Sequence, residues 1–201
     1  MLNNSVTILA AGKGTRLGMP FPKPLTPLAD GKTIMERQLE AIKGTFGGIT
    51  VNTVVGFQHE KITSAFPDER YHINDRFEYT NTSKSLLIAL EASPEDHGML
   101  WFNGDVVFDA RLLSPIAALI AEDQSFVSVN TSSVGDEEVK YTVCEQGFIN
   151  QLSKVVPTHE AQGEAVGINF VSAQDKQALI DSLRVVDDQD YFERGIELAI
   201  Q

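Results

Sequence analysis

The sequence predicts an α/β fold: a mostly parallel sheet with helices on both faces, plus a small antiparallel element in its second half. Three observations carry this prediction. Short apolar runs beginning at Val6, Ile49 and Met99 alternate with amphipathic segments of helical period through the first 122 residues. Those runs are hydrophobic without alternation, as strands covered on both faces are. Beyond Val139 the extended segments follow one another around Glu145-Gln146-Gly147 with no helix between them, the pattern of a hairpin.

The first strand starts at Val6 and is bounded by Gly12. It delivers a loop, residues 12–28, that holds Gly12, Gly14 and Gly18, the cations Lys13, Arg16 and Lys23, and the prolines 20, 22, 24 and 27. Glycines let backbone N–H groups close on an anion, and the cations match a polyphosphate. A dinucleotide fingerprint would need a helix starting among the glycines, which the prolines forbid, and an acid closing the second strand, which instead ends at Gly56-Phe57-Gln58. The ATPase loop also fails, because Lys13 precedes Gly14 and no later glycine carries a Lys-Ser or Lys-Thr pair.

Residues 32–43 place Ile34, Met35, Gln38, Leu39 and Ile42 on one helical face, with Thr33 as N-cap and Gly44 as the stop. A strand over 49–55, a helix over 59–66 and an extended piece over 71–74 follow. Residues 83–92 read as a helix with a Ser-rich cap. Residues 99–102 read as a strand ending at Asn103-Gly104-Asp105. Ligands of parallel sheets sit beyond the carboxyl ends of the strands, which is where Gly12 and Asp105 both fall. A helix over 111–122 capped by Asp109, a strand over 125–131, the hairpin 139–144 and 148–156, a strand over 165–171 and a helix over 173–183 complete the pattern. Residues 181–201, with six acids and two arginines, read as a solvated helical face.

With 201 residues, 42% of them hydrophobic, one well-filled domain spanning 1–201 is expected. Its nucleotide-binding half is 1–110 and its acceptor-binding, strand-rich half 111–201. The net charge of −12 argues against nucleic-acid or anionic-membrane partners. Against that background residues 1–29 carry three cations and no acid, a local anion site. The lone Cys144 excludes an internal disulfide, and no apolar run approaches ~18 residues, so a cytoplasmic protein, monomer or homodimer, is expected. The four histidines show no ligand spacing, and no serine sits in a G-x-S-x-G elbow. Asp105 reads either as a turn aspartate or as a ligand for a hard cation. Lys140 and Lys154 read either as solvated edge lysines or as anion contacts.

The run Leu9-Ala10-Ala11-Gly12-Lys13-Gly14-Thr15-Arg16-Leu17-Gly18, followed by Pro22-Lys23-Pro24-Leu25, resembles the signature of the nucleotidyltransferases that join a nucleoside triphosphate to a phosphorylated small molecule. The resemblance implies a Rossmann-like fold of the nucleotide-diphospho-sugar transferase type and a Mg²⁺ cofactor. It places Leu9, Ala10, Ala11, Gly12, Gly14 and Thr15 on the nucleotide, Arg16 on the departing phosphates, Lys23 on the α-phosphate and Asp105 on the metal. The stretch Thr80-Asn81-Thr82-Ser83-Lys84-Ser85-Leu86-Leu87-Ile88-Ala89 is similar to one in the CTP:phosphocholine and phosphonate cytidylyltransferase branch. By that likeness Asn81, Ser83 and Ser85 belong to the nucleotide site. Lys140, Lys154, Glu164 in G-E-A-V-G-I and Tyr191 in Y-F-E match the same branch, which implies an acceptor site with a lysine on its phosphate and Glu164 on a hydroxyl or a cationic head.

Members of the family usually carry a second metal-binding acid on a later strand. No such segment stands before Gln201, and Asp190 and Glu193 are the candidate substitutes. The expected activity is transfer of a nucleoside monophosphate, CMP from CTP, to a small phosphorylated acceptor with release of pyrophosphate. Its rivals are a sugar-1-phosphate nucleotidyltransferase, a guanylyltransferase for a molybdenum cofactor, and a catalytically weak nucleotide-binding regulatory protein.

Overall fold

The computed structural model describes residues 4–14 and 19–201. Strand β1 (Ser5–Ala10) pairs in parallel with β2 (Asn52–Val55) on one side and β4 (Met99–Asn103) on the other, and β3 (Arg70–Ile73) extends β2 in parallel. Side chains of β1 and β4 divide between two cores. Val6, Ile8, Ala10, Leu100 and Phe102 meet α1 (Ile34–Phe46) and α4 (Leu113–Ala121) on one face. Leu9, Met99 and Trp101 meet α3 (Thr82–Glu91), α5 (Lys176–Val185) and α6 (Phe192–Ala199) on the other. This two-sided burial is why those strands read as unbroken apolar runs. Helix α2 (His59–Ala65) joins the first core through Ile62.

The second half of the sheet is antiparallel. Strand β8 (Gly163–Val171) pairs with β4, with β5 (Phe126–Asn130) and with β6 (Lys140–Val143), and β7 (Ile149–Ser153) pairs with β6. Phe170 lies between Leu100 of β4 and Phe126 of β5, while Glu164 lies between Lys140 of β6 and Asn130 of β5. Strand β5 therefore occupies one edge of β8, and β4 and β6 share the other. They leave a gap along that edge, beside residues 166 and 167.

Several boundaries differ from the sequence reading. Helix α1 runs through Gly44 to Phe46, because burial of Phe46 holds the last turn and Gly47, at φ 79°, ends it instead. Its start is as expected: Thr33 accepts from the Glu36 N–H and Glu36 accepts from the Thr33 N–H, a capping box. These hydrogen bonds hold the Glu36 carboxyl below its usual range. Strand β2 begins only at Asn52, and the first turn of the segment 111–122 is a 3₁₀ turn capped by Asp109. The cap of α3 is Asn81 and not a serine. Helix α5 starts at Lys176, whose buried ammonium donates to the carbonyls of Pro94 and His97. The segment 181–201 is solvated only in part: Asp181 and Asp187 are exposed, but α6 buries Phe192, Glu193 and Glu197, and Glu197 accepts the Leu152 N–H of β7.

Candidate active site

Beyond the carboxyl ends of β1 and β4 the surface opens into a cleft of about 780 Å³. Its near wall is the start of the glycine loop, with Leu9, Ala10, Gly12 and Gly14, and the turn that follows β4. That turn is pressed against β1, since the Gly104 N–H donates to the Leu9 carbonyl at 2.9 Å. A Cβ on Gly104 would stand 2.8 Å from that oxygen and 2.9 Å from Pro24, so only glycine fits. Gly14, at φ 61°, is needed for its backbone conformation and because Lys23 passes against it.

The consequence of this packing is that Lys23 and Asp105, far apart in sequence, meet in the cleft, with Nζ 2.9 Å from Oδ2. Asp105 is fixed from behind by Gln38 of α1. That amide is buried and donates to the carbonyls of Asn103 at 2.9 Å and Val106 at 2.8 Å, on either side of the Asp105 turn. Sequence reasoning missed Gln38 as a site residue, although one glutamine among Ile34, Met35, Leu39 and Ile42 was the signal. Lys13 also lines the cleft and pairs with Glu78 at 2.6 Å, beside the Phe77 ring. Thr15 and Arg16, both expected at the nucleotide, and Gly18 lie outside the described residues.

The far wall is the gap along β8, with Val166 and Gly167, together with Lys154, Glu164, Tyr191 and Glu193. Lys154 follows β7, and its ammonium lies 4.5 Å above the Tyr191 ring, a cation–π contact that holds both in the cleft. Glu164 accepts from Asn130 Nδ2 at 3.2 Å and from the Gly135 N–H at 2.9 Å, which orients its carboxylate. Glu193 is buried, one carboxyl oxygen has no hydrogen-bond partner among the described residues, and burial pushes its pKa up to about 7, a rise that its own backbone N–H and Lys154 oppose.

Two expected contacts line neither the cleft nor the smaller recess beside it. Lys140 is buried beneath it, and its ammonium donates to the carbonyls of Asp136 at 2.8 Å and Glu138 at 3.3 Å; this residue organises the loop before β6 instead of meeting an acceptor. Ser83, on the helix face turned to the core, is fully buried, and its hydroxyl has no partner among the described residues. Asn81 is at the cleft, where its side chain accepts from the Thr82 N–H and donates to the Gln189 carbonyl. Ser85 lies in a smaller recess of about 60 Å³ that also touches Leu9, Ala11 and Gly12. Of the two substitute acids, Asp190 closes the turn at Asp187 by accepting its N–H, and Glu193 is in the far wall.

Among the described residues no three acids, histidines or cysteines converge on a metal position. A single carboxylate at the end of a strand still fits Mg²⁺, which keeps waters and is held by one or two carboxylates plus substrate phosphates.

Comparison with known proteins bears on the domain family and the fold. A family model described as the MobA-like NTP transferase domain matches residues 6–169. CMP-5'-(3-aminopropyl)phosphonate synthase of Streptomyces rubellomurinus is 37% identical over 120 residues, 55% of this chain and 18% of that protein. The bifunctional protein GlmU of Marinobacter nauticus is 32% identical over 173 residues, 84% of this chain and 38% of that protein. The chain thus spans less than two fifths of the length of these relatives. Among solved structures, CTP:phosphocholine cytidylyltransferase from Streptococcus pneumoniae superposes with a TM-score of 0.67 at 18% identity, covering 96% of this chain and 83% of that one, which shows a shared fold.

Proposed function

Because the chain belongs to the MobA-like NTP transferase domain family, whose model matches 164 of its residues from 6 to 169, we propose that it transfers CMP from CTP to a small phosphorylated acceptor such as phosphocholine or a phosphonate, releasing pyrophosphate. The observation that supports this reading is the meeting of two different walls at one ion pair. The glycine loop faces Lys154, Glu164 and Tyr191 across the cleft, and Lys23 with Asp105 lies between them.

In this reading the nucleotide lies along residues 9–14 and the acceptor along the far wall. An acceptor phosphate is already ionised at pH 7, so the reaction needs no covalent nucleophile and no protein base. The acceptor oxygen attacks the α-phosphorus in line, and the bond to the leaving pyrophosphate breaks. Lys23 exchanges Asp105 for the α-phosphate, where its charge is matched to the transition state. Arg16 receives the leaving phosphates. Asp105 would hold Mg²⁺, which when bound supplies charge neutralisation on the triphosphate. Lys154 places the acceptor phosphate, and Glu164 and Glu193 offer acceptors to its other end. Orientation of this kind can contribute ~7–11 kcal/mol.

The match to GlmU over most of the chain favours a second reading, in which the acceptor is a sugar 1-phosphate. One assay separates them. Pyrophosphate is measured with CTP, UTP, ATP or GTP, Mg²⁺, and a panel of phosphocholine, an aminoalkylphosphonate and hexose 1-phosphates. Release with CTP and the first two acceptors is expected. Release with the hexose phosphates alone would move the assignment to the second reading, and nucleotide binding with no release in any pair would refute both.

A further inference from the structure

The recess behind the glycine loop contains a polar network that the sequence does not announce. Asn74 follows β3, is 2% exposed, and shares the recess with Leu9, Ala11 and Gly12 and with Thr80 and Ser85. Its amide orientation is fixed by the backbone: Oδ1 accepts the Arg76 N–H at 3.0 Å, so Nδ2 must face the other way. There it donates to Thr80 Oγ1 at 3.0 Å and Ser85 Oγ at 3.2 Å. Both amide hydrogens are then used.

The two hydroxyls are left in different states. Thr80 accepts from Asn74 and gives its own hydrogen to the Arg76 carbonyl at 3.0 Å, so it is complete. Ser85 accepts from Asn74, and among the described residues its hydrogen has no acceptor. With one lone pair taken by Asn74, a hydroxyl that lines the recess has its hydrogen to present to whatever enters. We infer that Asn74 is a positioning residue for nucleobase binding: it fills one acceptor position of Ser85 and leaves the hydroxyl hydrogen toward the recess, so that the recess takes a base edge that presents an acceptor, a ring nitrogen or a carbonyl. Thr80, bonded to the same amide, holds Asn74 in place and does not read the base.

This inference rests on the nucleotide site proposed above, and the experiment keeps the two apart. Binding of CTP and of inorganic tripolyphosphate is measured for the wild-type chain, Asn74→Asp, Ser85→Ala and the double variant, with melting temperatures recorded for each. An aspartate keeps the shape but accepts the Ser85 hydrogen, turning the hydroxyl away from the recess. Asn74→Asp is expected to weaken CTP about tenfold, the worth of one hydrogen bond to a buried polar edge, and to leave tripolyphosphate unchanged. Ser85→Ala should give the same loss, and the double variant should lose no more than either, because both changes remove one donor. Unchanged CTP affinity, equal loss of tripolyphosphate, or losses that add would each overturn the role of Asn74. Failure of the wild-type chain to bind any nucleotide would instead refute the nucleotide site itself. If Asn74→Asp melts early, the cycle is repeated with Asn74→Ala, which removes the donor to Ser85 without adding a buried carboxylate; its loss of CTP affinity must not add to that of Ser85→Ala, and additive losses would overturn the role of Asn74.

Discussion

On the near side of the cleft, the surface is made from backbone and from residues close together in sequence: β1, the glycine loop, and one turn after β4 locked against it through Gly104. On the far side, the surface is made from side chains that β7, β8 and α6 bring from distant parts of the chain, and their positions depend on tertiary contacts such as Lys154 over Tyr191 and Glu197 on the Leu152 N–H. A phosphate chain is the same in every nucleoside triphosphate, and a fixed backbone cradle suits it. Acceptors differ in shape and charge, and a wall of exchangeable side chains on a mixed sheet can change with them while the loop does not.

If the two sides divide the work in this way, substitutions should separate into classes. The largest effect is expected where the sides meet. Lys23→Ala should lower kcat about 10²–10³-fold, the usual cost of removing one preorganised charge from a transition state, with little change in CTP affinity. Single-turnover rates with measured CTP binding check this, and equal losses in both would assign Lys23 to ground-state binding.

Glu193→Gln tests whether the far wall holds a buried proton. The folded carboxyl titrates near 7 while the unfolded one titrates near its ordinary 4.5, so the folded chain binds the extra proton between those values. That contribution to stability is complete below pH 4.5 and is lost as pH rises to 7. Glutamine does not titrate. Its stability relative to wild type should therefore rise by roughly 2–3 kcal/mol between pH 5 and pH 8. Urea unfolding at the two pH values measures it, and a constant difference would place Glu193 in solvent.

Gln38→Leu leaves the carbonyls that flank the Asp105 turn without their donor, and should cost about 1–2 kcal/mol of stability. It should also raise the Mg²⁺ concentration for half-maximal activity several-fold, measured by metal titration. An unchanged metal requirement would show that the turn holds its own geometry. Smallest in its effect on turnover is Lys140→Met, which should lower the melting temperature by loosening the loop at 136–138 and leave the acceptor KM unchanged. A raised acceptor KM would return Lys140 to the acceptor site.

The same contrast explains what could be read without coordinates. The near side was legible because its chemistry is local: Leu9 to Gly14, Lys23 and the Asn-Gly-Asp turn are each defined by neighbours in sequence, and burial on both faces gives β1 and β4 their unbroken apolar runs. Thr33 was legible as a cap for the same reason. The far side was legible only in part. Lys140 and Lys154 have the same strand context in sequence, and only the packing of the loop at 136–138 turns one inward and leaves the other in the cleft. Ser83 and Ser85 stand two residues apart on α3, so the helix turns them to different surroundings, one to the core and one to the recess. Gln38 and Asn74 act on the site from α1 and from the end of β3, and no local pattern marks them. The acids of 181–201 suggested a solvated face, yet the apolar side of α6 carries Glu193 and Glu197 inward with it.

The division of the cleft is tested most directly by titration calorimetry on Lys154→Ala, with CTP alone and then with phosphocholine or an aminoalkylphosphonate added to the CTP complex. The predicted result is a CTP affinity equal to wild type and an acceptor affinity at least about tenfold weaker, the loss of one charged contact. An equal fall in CTP affinity, or an acceptor affinity that does not change, would contradict the assignment of the far wall to the acceptor.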